Sequence, residues 1–592
     1  MKEDKSKRKL GIRGNSVFHS SELFVIDWLP ASFVVKRGIE WLKSYFDSYS
    51  LVGNYVVYHN PTSWKGVYYS SNEFPPVAEW EFDPLSRVLS EAEARGLAVL
   101  IGYHWVPETP EKMWIHPSKK EIESAKKVIS ETYELYSKYK SLKGYYAVWE
   151  PGDLSDIDYY RETCNFIKEL DGNLLTAAAP YVFSSEEYYG GSLPLIYNAL
   201  AGIESLDIVI AQSAVAVYPY PPHQGREHLL LAKARLGSTK IVLGHVETFG
   251  RRFIKEEQYI PENLIKSQVL SEAIVYGVEG ITTFIYAYLL DEPTGKNLKA
   301  YTETLEIFRQ LSKLISSPPD IALFLPLRPE YWVMAQRFLK LSRKVGLEVT
   351  LIQLPISGEV PEGAAAPLIV LADPPELEER EVRFLKEHVK KGGALLVIGY
   401  PPTGLRRLLG IEGRNVGKYG AVKPIVELRR NAKDAVLEIG YKLVYCPTLL
   451  SAKPLAILRN PLTGYGGGYQ PGAYAATLNK YGKGLAIFSG IPYKTLLTAI
   501  PSFLLDLVDL CLEHSGKRLA WDFQGLNELT DIVARDDMFL VLNHGEPIKV
   551  KAKYAGKVEK YKVLGSPSRV NLTDNAFEIE LEGAQLGGVQ IL

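Results

Sequence analysis

The chain predicts an α/β protein: a (β/α)8 TIM barrel, then a flavodoxin-like α/β domain, then a small antiparallel β domain. Three observations carry this. Between residue 11 and about 315, eight short apolar runs recur with amphipathic stretches between them. Strands alternating with helices build parallel βα units, and eight units with a final helix close into a barrel. Second, an open doubly wound sheet is the alternative, but eight consecutive units fit the usual barrel length of roughly 250 residues or more. Third, Ser316-Ser317-Pro318-Pro319 punctuates the series and predicts a boundary at 317.

The barrel strands are expected at 23–27, 54–59, 98–104, 144–150, 174–181, 207–217, 240–247 and 280–288. Helices are expected between them, for example at 119–139, 158–170, 226–236 and 261–276. In the first of these Ile122, Val128, Ile129, Tyr133 and Tyr136 recur at helical spacing. The second domain, 318–515, shows strands at 321–325, 347–354, 368–372, 394–399 and 485–489. Helices follow at 330–345, 376–391 and around 494–513, with Gly392-Gly393 as a stop. The third, 516–592, shows strands at 531–534, 538–543, 548–554, 576–581 and 588–592 joined by Gly, Pro, Asn and Ser, the pattern of a small antiparallel domain.

Composition narrows the function. At 592 residues the chain exceeds one hydrophobic core. A net charge of −1 argues against a general nucleic-acid binder, which shows a basic patch or stripe. Cys164, Cys446 and Cys511 are an odd, widely spaced set without a Cys-x-x-Cys pair, which fits a reducing compartment rather than a disulfide framework. The charged start, Met-Lys-Glu-Asp-Lys-Ser-Lys-Arg-Lys-Leu, has no apolar h-region, and no apolar run is long enough to span a membrane. A cytoplasmic protein with no membrane partner is the expectation, and few Cys with only 4 Met fit a thermophile.

Glu150 and Glu247 carry the chemistry. Each follows an apolar run, Gly-Tyr-Tyr-Ala-Val-Trp-Glu and Lys-Ile-Val-Leu-Gly-His-Val-Glu, at the ends of the expected fourth and seventh strands. Barrel active sites form at that face. Two carboxylates across a barrel mouth are the minimal apparatus for glycosidic bond cleavage. A single strand-end Glu is more often a rim residue paired with Lys or Arg; two at these strands favour function.

Here the chain resembles the clan A glycoside hydrolases, whose catalytic glutamates end strands four and seven. The resemblance implies Glu150 as acid/base and Glu247 as nucleophile of a retaining β-glycosidase. Where the clan carries Asn before the acid/base, this chain has Trp149. The domain order resembles that of the family 42 β-galactosidases, with a second domain similar to an amidotransferase fold. Local runs are similar too: His388-Val389-Lys390-Lys391-Gly392-Gly393, Tyr481-Gly482-Lys483-Gly484 and Arg535-Asp536-Asp537-Met538-Phe539-Leu540-Val541-Leu542-Asn543-His544. A small glycoside, oligosaccharide or polysaccharide substrate follows, with no cofactor. The layout also implies a homo-oligomer, trimer before dimer, and the Tyr- and Gly-rich run 465–474 suits burial in a partner.

Other residues are assigned around the two glutamates. His59, His104 and His245 end strands two, three and seven as hydroxyl-binding imidazoles; the alternative, metal ligands of a barrel hydrolase, would need them to converge. Tyr218, after strand six, is assigned to the nucleophile by the resemblance. Trp105, Trp149, Tyr181 and Tyr286 are substrate-binding candidates, with core packing as the bland alternative. The second domain shows neither a nucleophile elbow around Cys446 nor a phosphate loop at 464–469. A carbohydrate-binding scaffold on a degenerate barrel is the other functional class.

Overall fold

The structure, a computed structural model, describes residues 23–592 apart from 110, 112–115, 182–192, 214, 216–221, 238, 250–258, 316–317, 327, 357–361, 434, 460–468, 516–520, 528 and 536. The chain divides into two compact units, Met1–Leu314 and Ile315–Leu592.

In the first unit eight parallel strands close into a barrel. They are β1 (Phe24–Pro30), β2 (Tyr55–His59), β3 (Ala98–Tyr103), β4 (Leu142–Ala147), β5 (Leu175–Ala178), β6 (Ile208–Ile210), β7 (Ile241–Glu247) and β8 (Gly280–Phe284). Ile26, Val57, Leu100, Ala177, Ile210 and Leu243 fill the interior. The surrounding helices are α1 (Ala31–Tyr49), α2 (Pro84–Ala94), α3 (Lys119–Tyr136), α4 (Ile157–Leu170), α5 (Leu193–Ala201), α6 (Pro222–Leu236), α7 (Glu262–Ala273), α8 (Tyr286–Asp291) and α9 (Lys296–Leu314). Local chemistry sets their starts. Ser118 and Glu121 form a capping box at α3, and Asp83 accepts from Leu85 and Ser86 at α2, with Pro84 in the first turn. The last strand is shorter than the run 280–288, because the chain turns into α8 at Tyr286. β4 also stops early, so Glu150 stands on the loop beyond it.

The second unit holds a nine-stranded sheet. Five parallel strands come first: β9 (Ile321–Pro326), β10 (Val349–Leu354), β11 (Leu368–Ala372), β12 (Ala394–Ile398) and β17 (Gly484–Ser489), in the order β10-β9-β11-β12-β17. Helices α10 (Pro329–Lys344), α11 (Glu379–Lys390), α12 (Tyr493–Ala499) and α13 (Pro501–His514) accompany them. This is the flavodoxin-like layer, and its strands are buried apolar runs, as two-sided burial demands. Four antiparallel strands extend it: β13 (Ile411–Pro424), β14 (Leu437–Leu449), β15 (Lys453–Arg459) and β16 (Tyr469–Tyr481). These four strands carry no period-two signal in sequence, since Gly, Lys and Pro interrupt the pattern over 411–481. Cys446 lies within β14 and is buried. The helix expected around 494–513 is two, broken at Pro501.

Two four-stranded antiparallel sheets complete this unit: β18 (Trp521–Gln524), β21 (Ile548–Tyr554), β24 (Ala576–Leu581) and β23 (Arg569–Thr573) in one, and β19 (Thr530–Ala534), β20 (Met538–Asn543), β25 (Gln585–Ile591) and β22 (Tyr561–Gly565) in the other. Trp521, Phe539, Val541 and Phe577 pack in their shared core. No single described helix is long and apolar enough to cross a membrane.

Candidate active site

Along a strand, side chains alternate between the barrel interior and the helices. The inward rows are apolar at the bottom and polar or aromatic at the top. Ile26 leads to Trp28, Val57 to His59, Tyr146 and Val148 to Glu150, Ile210 to Gln212, and Leu243 to His245 and Glu247. Strand parity therefore delivers Trp28, His59, His245 and Glu247 to the C-terminal face, and the loops beyond β4 and β6 bring Glu150 and Gln212 to it.

Trp28 is the hub. Its ring lies 4.6 Å from Phe284, 5.2 Å from both Tyr146 and His245, and 5.3 Å from His59, on which it stacks. Four buried polar atoms in this cluster have no protein partner: the Trp28 indole nitrogen, the Tyr146 hydroxyl and both His245 ring nitrogens. Burial holds His59 and His245 neutral, pushing each down to about 3. His104 falls to about 4 by burial, although its Nδ1 sits 2.9 Å from the Trp105 carbonyl. Among the described residues no group of three or more His, Cys, Asp and Glu is arranged to hold a metal ion.

The two glutamates interact. Burial pushes the Glu150 carboxyl up to about 7; a hydrogen bond with the Gln212 side chain pulls it down, and the charge of Glu247 pushes it up. Glu247 is 3% exposed, Glu150 half-buried. The loop carrying Glu150 is fastened at successive residues. The Val148 N–H donates to the Tyr103 carbonyl (3.1 Å), the Tyr160 hydroxyl to the Trp149 carbonyl, the Tyr181 N–H to the Pro151 carbonyl (3.3 Å), and the Gly152 N–H to the Asp156 carboxylate (3.2 Å). This site holds one carboxyl protonated near neutral pH beside a second acid, the pairing that acid–base chemistry requires.

Not every expected residue belongs to it. Trp105 has outward parity and is a wall residue, 1% exposed, with its ring 5.4 Å from Trp149 and 5.8 Å from Tyr159. Trp149 leans on that wall, so no amide stands where the clan's Asn would. Tyr286 is likewise withdrawn from the site: its ring packs against Tyr45, Tyr49 and Tyr301, and its hydroxyl is 2.9 Å from Ser48 of α1. Tyr181 touches the site through its backbone bond to Pro151. Tyr218, with Tyr220 and Trp114, lies outside the described residues. Gln212 was missed. It sits inside the expected strand 207–217 with the parity of Ile208 and Ile210, and that parity was the available signal.

A family described as a domain of unknown function, DUF4434, matches residues 39–297, within the barrel unit. No curated protein matches the chain in sequence. Solved structures match over nearly its whole length. A β-galactosidase from Bacillus circulans sp. alkalophilus is 11% identical, covering 97% of this chain and 99% of that one with a TM-score of 0.62. A β-galactosidase from the Antarctic haloarchaeon Halorubrum lacusprofundi is 12% identical, covering 96% and 99%, TM-score 0.60. The α-L-fucosidase isoenzyme 2 from Paenibacillus thiaminolyticus gives 12%, 96% and 99%, and 0.59. The chain thus has the fold, through all its layers, of the family 42 β-galactosidases.

Proposed function

We propose that the protein is a glycoside hydrolase, cleaving a β-linked glycoside with retention through Glu150 and Glu247. The observation that carries this is the pair itself: two glutamates at the barrel mouth within electrostatic reach, one held protonated up to about pH 7. In the first step Glu150 donates its proton to the leaving oxygen while the Glu247 carboxylate attacks the anomeric carbon, giving a glycosyl-enzyme. In the second, Glu150 takes a proton from water as it attacks that carbon, and Glu247 leaves. The unpartnered atoms of Trp28, Tyr146 and His245 supply hydrogen bonds to sugar hydroxyls. The fold neighbours are named for β-galactoside and α-L-fucoside cleavage, so fold alone does not choose the sugar.

The test is a screen of aryl glycosides with and without chelator. Chelator-resistant cleavage supports this reading. Chelator-sensitive cleavage of a non-glycoside would replace it with the metal enzyme, and sugar binding without turnover with the scaffold. Homo-oligomerisation through the second unit is part of the proposal, by likeness of layout; of the run 465–474, residues 465–468 lie outside the described residues and the rest begins β16. Light scattering should give a multiple of 66.3 kDa. A stable monomer at micromolar concentration would remove that part.

A further inference from the structure

Strand β7 outruns its neighbour. On one side it pairs with β8 up to Glu247, but on the other β6 ends at Ile210, opposite Leu243. Among the described residues, the backbone groups of His245 and Glu247 that face the β6 side therefore meet no strand. A parallel ladder would satisfy them with the amides of a neighbour, and buried backbone groups are rarely left open.

Helix α7 fills the gap with side chains. The Gln268 carbonyl oxygen accepts from the Glu247 N–H (3.0 Å), and its amide nitrogen donates to the Glu247 carbonyl (2.9 Å). One turn along the helix, Glu272 Oε1 accepts from the His245 N–H (3.0 Å). Residues four apart stack on one helix face, so 268 and 272 meet alternate residues of the strand, those with inward side chains. Both are buried at 1% exposure. Gly244 makes the approach possible, since a Cβ there would lie 2.0 Å from Glu272 Oε2.

We propose that Gln268 and Glu272 are positioning residues, a side-chain substitute for a missing strand that fixes the backbone carrying Glu247 and so aims its carboxylate. This rests on the reading of Glu247 as nucleophile. Gln268 is the stronger of the two, because its amide carries a donor and an acceptor on separate atoms and grips both the N–H and the C=O of one residue. Glu272 adds no charge beside the nucleophile at neutral pH, as burial pushes its carboxyl up to about 8, with the His245 N–H opposing and Glu247 adding to the rise.

The test has two arms on the full-length protein. Amide hydrogen exchange on the peptide covering 241–248 reads the clamp without reference to activity. Gln268→Leu should lose protection there, Glu272→Leu should lose it at His245, and Glu272→Gln, which keeps the acceptor, should retain it. The kinetic arm uses an aryl glycoside that the parent cleaves. Gln268→Leu should lower kcat by roughly 10- to 100-fold with KM nearly unchanged, as misplacement of a reacting group does, while Glu272→Gln stays close to the parent. Unchanged protection in Gln268→Leu overturns the clamp. Lost protection with unchanged kcat overturns its role in aiming Glu247. A parent that cleaves no glycoside sinks the reading of Glu247 instead, and the exchange arm still decides the clamp. Should Gln268→Leu fail to fold, Gln268→Glu keeps the acceptor and loses the donor, and predicts partial loss of protection in the same peptide.

Discussion

The barrel mouth and the seam inside the second unit both bury polar side chains, but only the seam sets them in ion pairs among themselves. At the mouth, Trp28, Tyr146 and His245 present buried donors and acceptors with nothing in the protein to receive them. At the seam between the α/β layer and the β sandwich, buried charges stand in ion pairs. Arg343 of α10 pairs with Asp531 of β19 at 2.9 Å, His544 lies 2.9 Å from the other oxygen of that carboxylate, and Arg535 pairs with Glu348. Leaving a buried polar group unpaired costs about 1–3 kcal/mol. On the proposed function a sugar's hydroxyls complete the bonds at the mouth, whereas ion pairs hold the seam.

Glu247→Gln sharpens that contrast most. The shape is kept, the nucleophile is lost, and kcat should fall by about three orders of magnitude or more while the urea midpoint hardly moves. A variant with near-normal turnover would remove Glu247 from the chemistry.

Asp531→Asn is the complementary change. Its carboxylate is fully buried between Arg343 and His544. Removing one member of such a set leaves buried charge uncompensated and should cost about 3–5 kcal/mol. Denaturant unfolding should show that loss, with kcat per folded molecule unchanged. A loss below about 1 kcal/mol would mean that the seam is already hydrated.

A smaller effect concerns pH. On the proposed mechanism Glu150 acts as the acid in its protonated form, so kcat/KM should fall as pH rises through about 7, where its proton leaves. Glu150→Gln should erase that alkaline limb, and should be tolerated best on substrates with leaving groups that need no proton. A limb that survives the substitution belongs to another group.

What the sequence disclosed follows from the same physics. The barrel strands and the five parallel strands of the second unit were legible because burial on both faces makes them unbroken apolar runs. The strands between 411 and 481 were not, because long partly exposed strands tolerate Lys, Gly and bulges, such as the register shifts near Glu412 and Tyr419. Glu150, Glu247 and His245 were legible as polar residues ending apolar runs. Trp105 and Tyr286 were misjudged because an aromatic at a strand end reads alike whether it faces inward or outward. Gln212 was missed although its parity with Ile208 and Ile210 was there to read, and Gln268 and Glu272 were invisible: they lie behind the strand, on a helix whose polar face is buried.

The finest test substitutes His245. Both its nitrogens are buried and unpartnered, and its ring already rests between Trp28 (5.2 Å) and Phe284 (6.0 Å). Leu of similar bulk removes two polar atoms that the protein does not satisfy, so His245→Leu should be neutral or stabilising, by up to about 1 kcal/mol. If His245 binds a sugar hydroxyl as proposed, the same change should lower kcat/KM about tenfold. Equilibrium unfolding and steady-state kinetics on one preparation read both. A variant that loses both stability and activity would show that His245 serves the fold, and the distinction between mouth and seam would fail at the residue where it is most exposed to test.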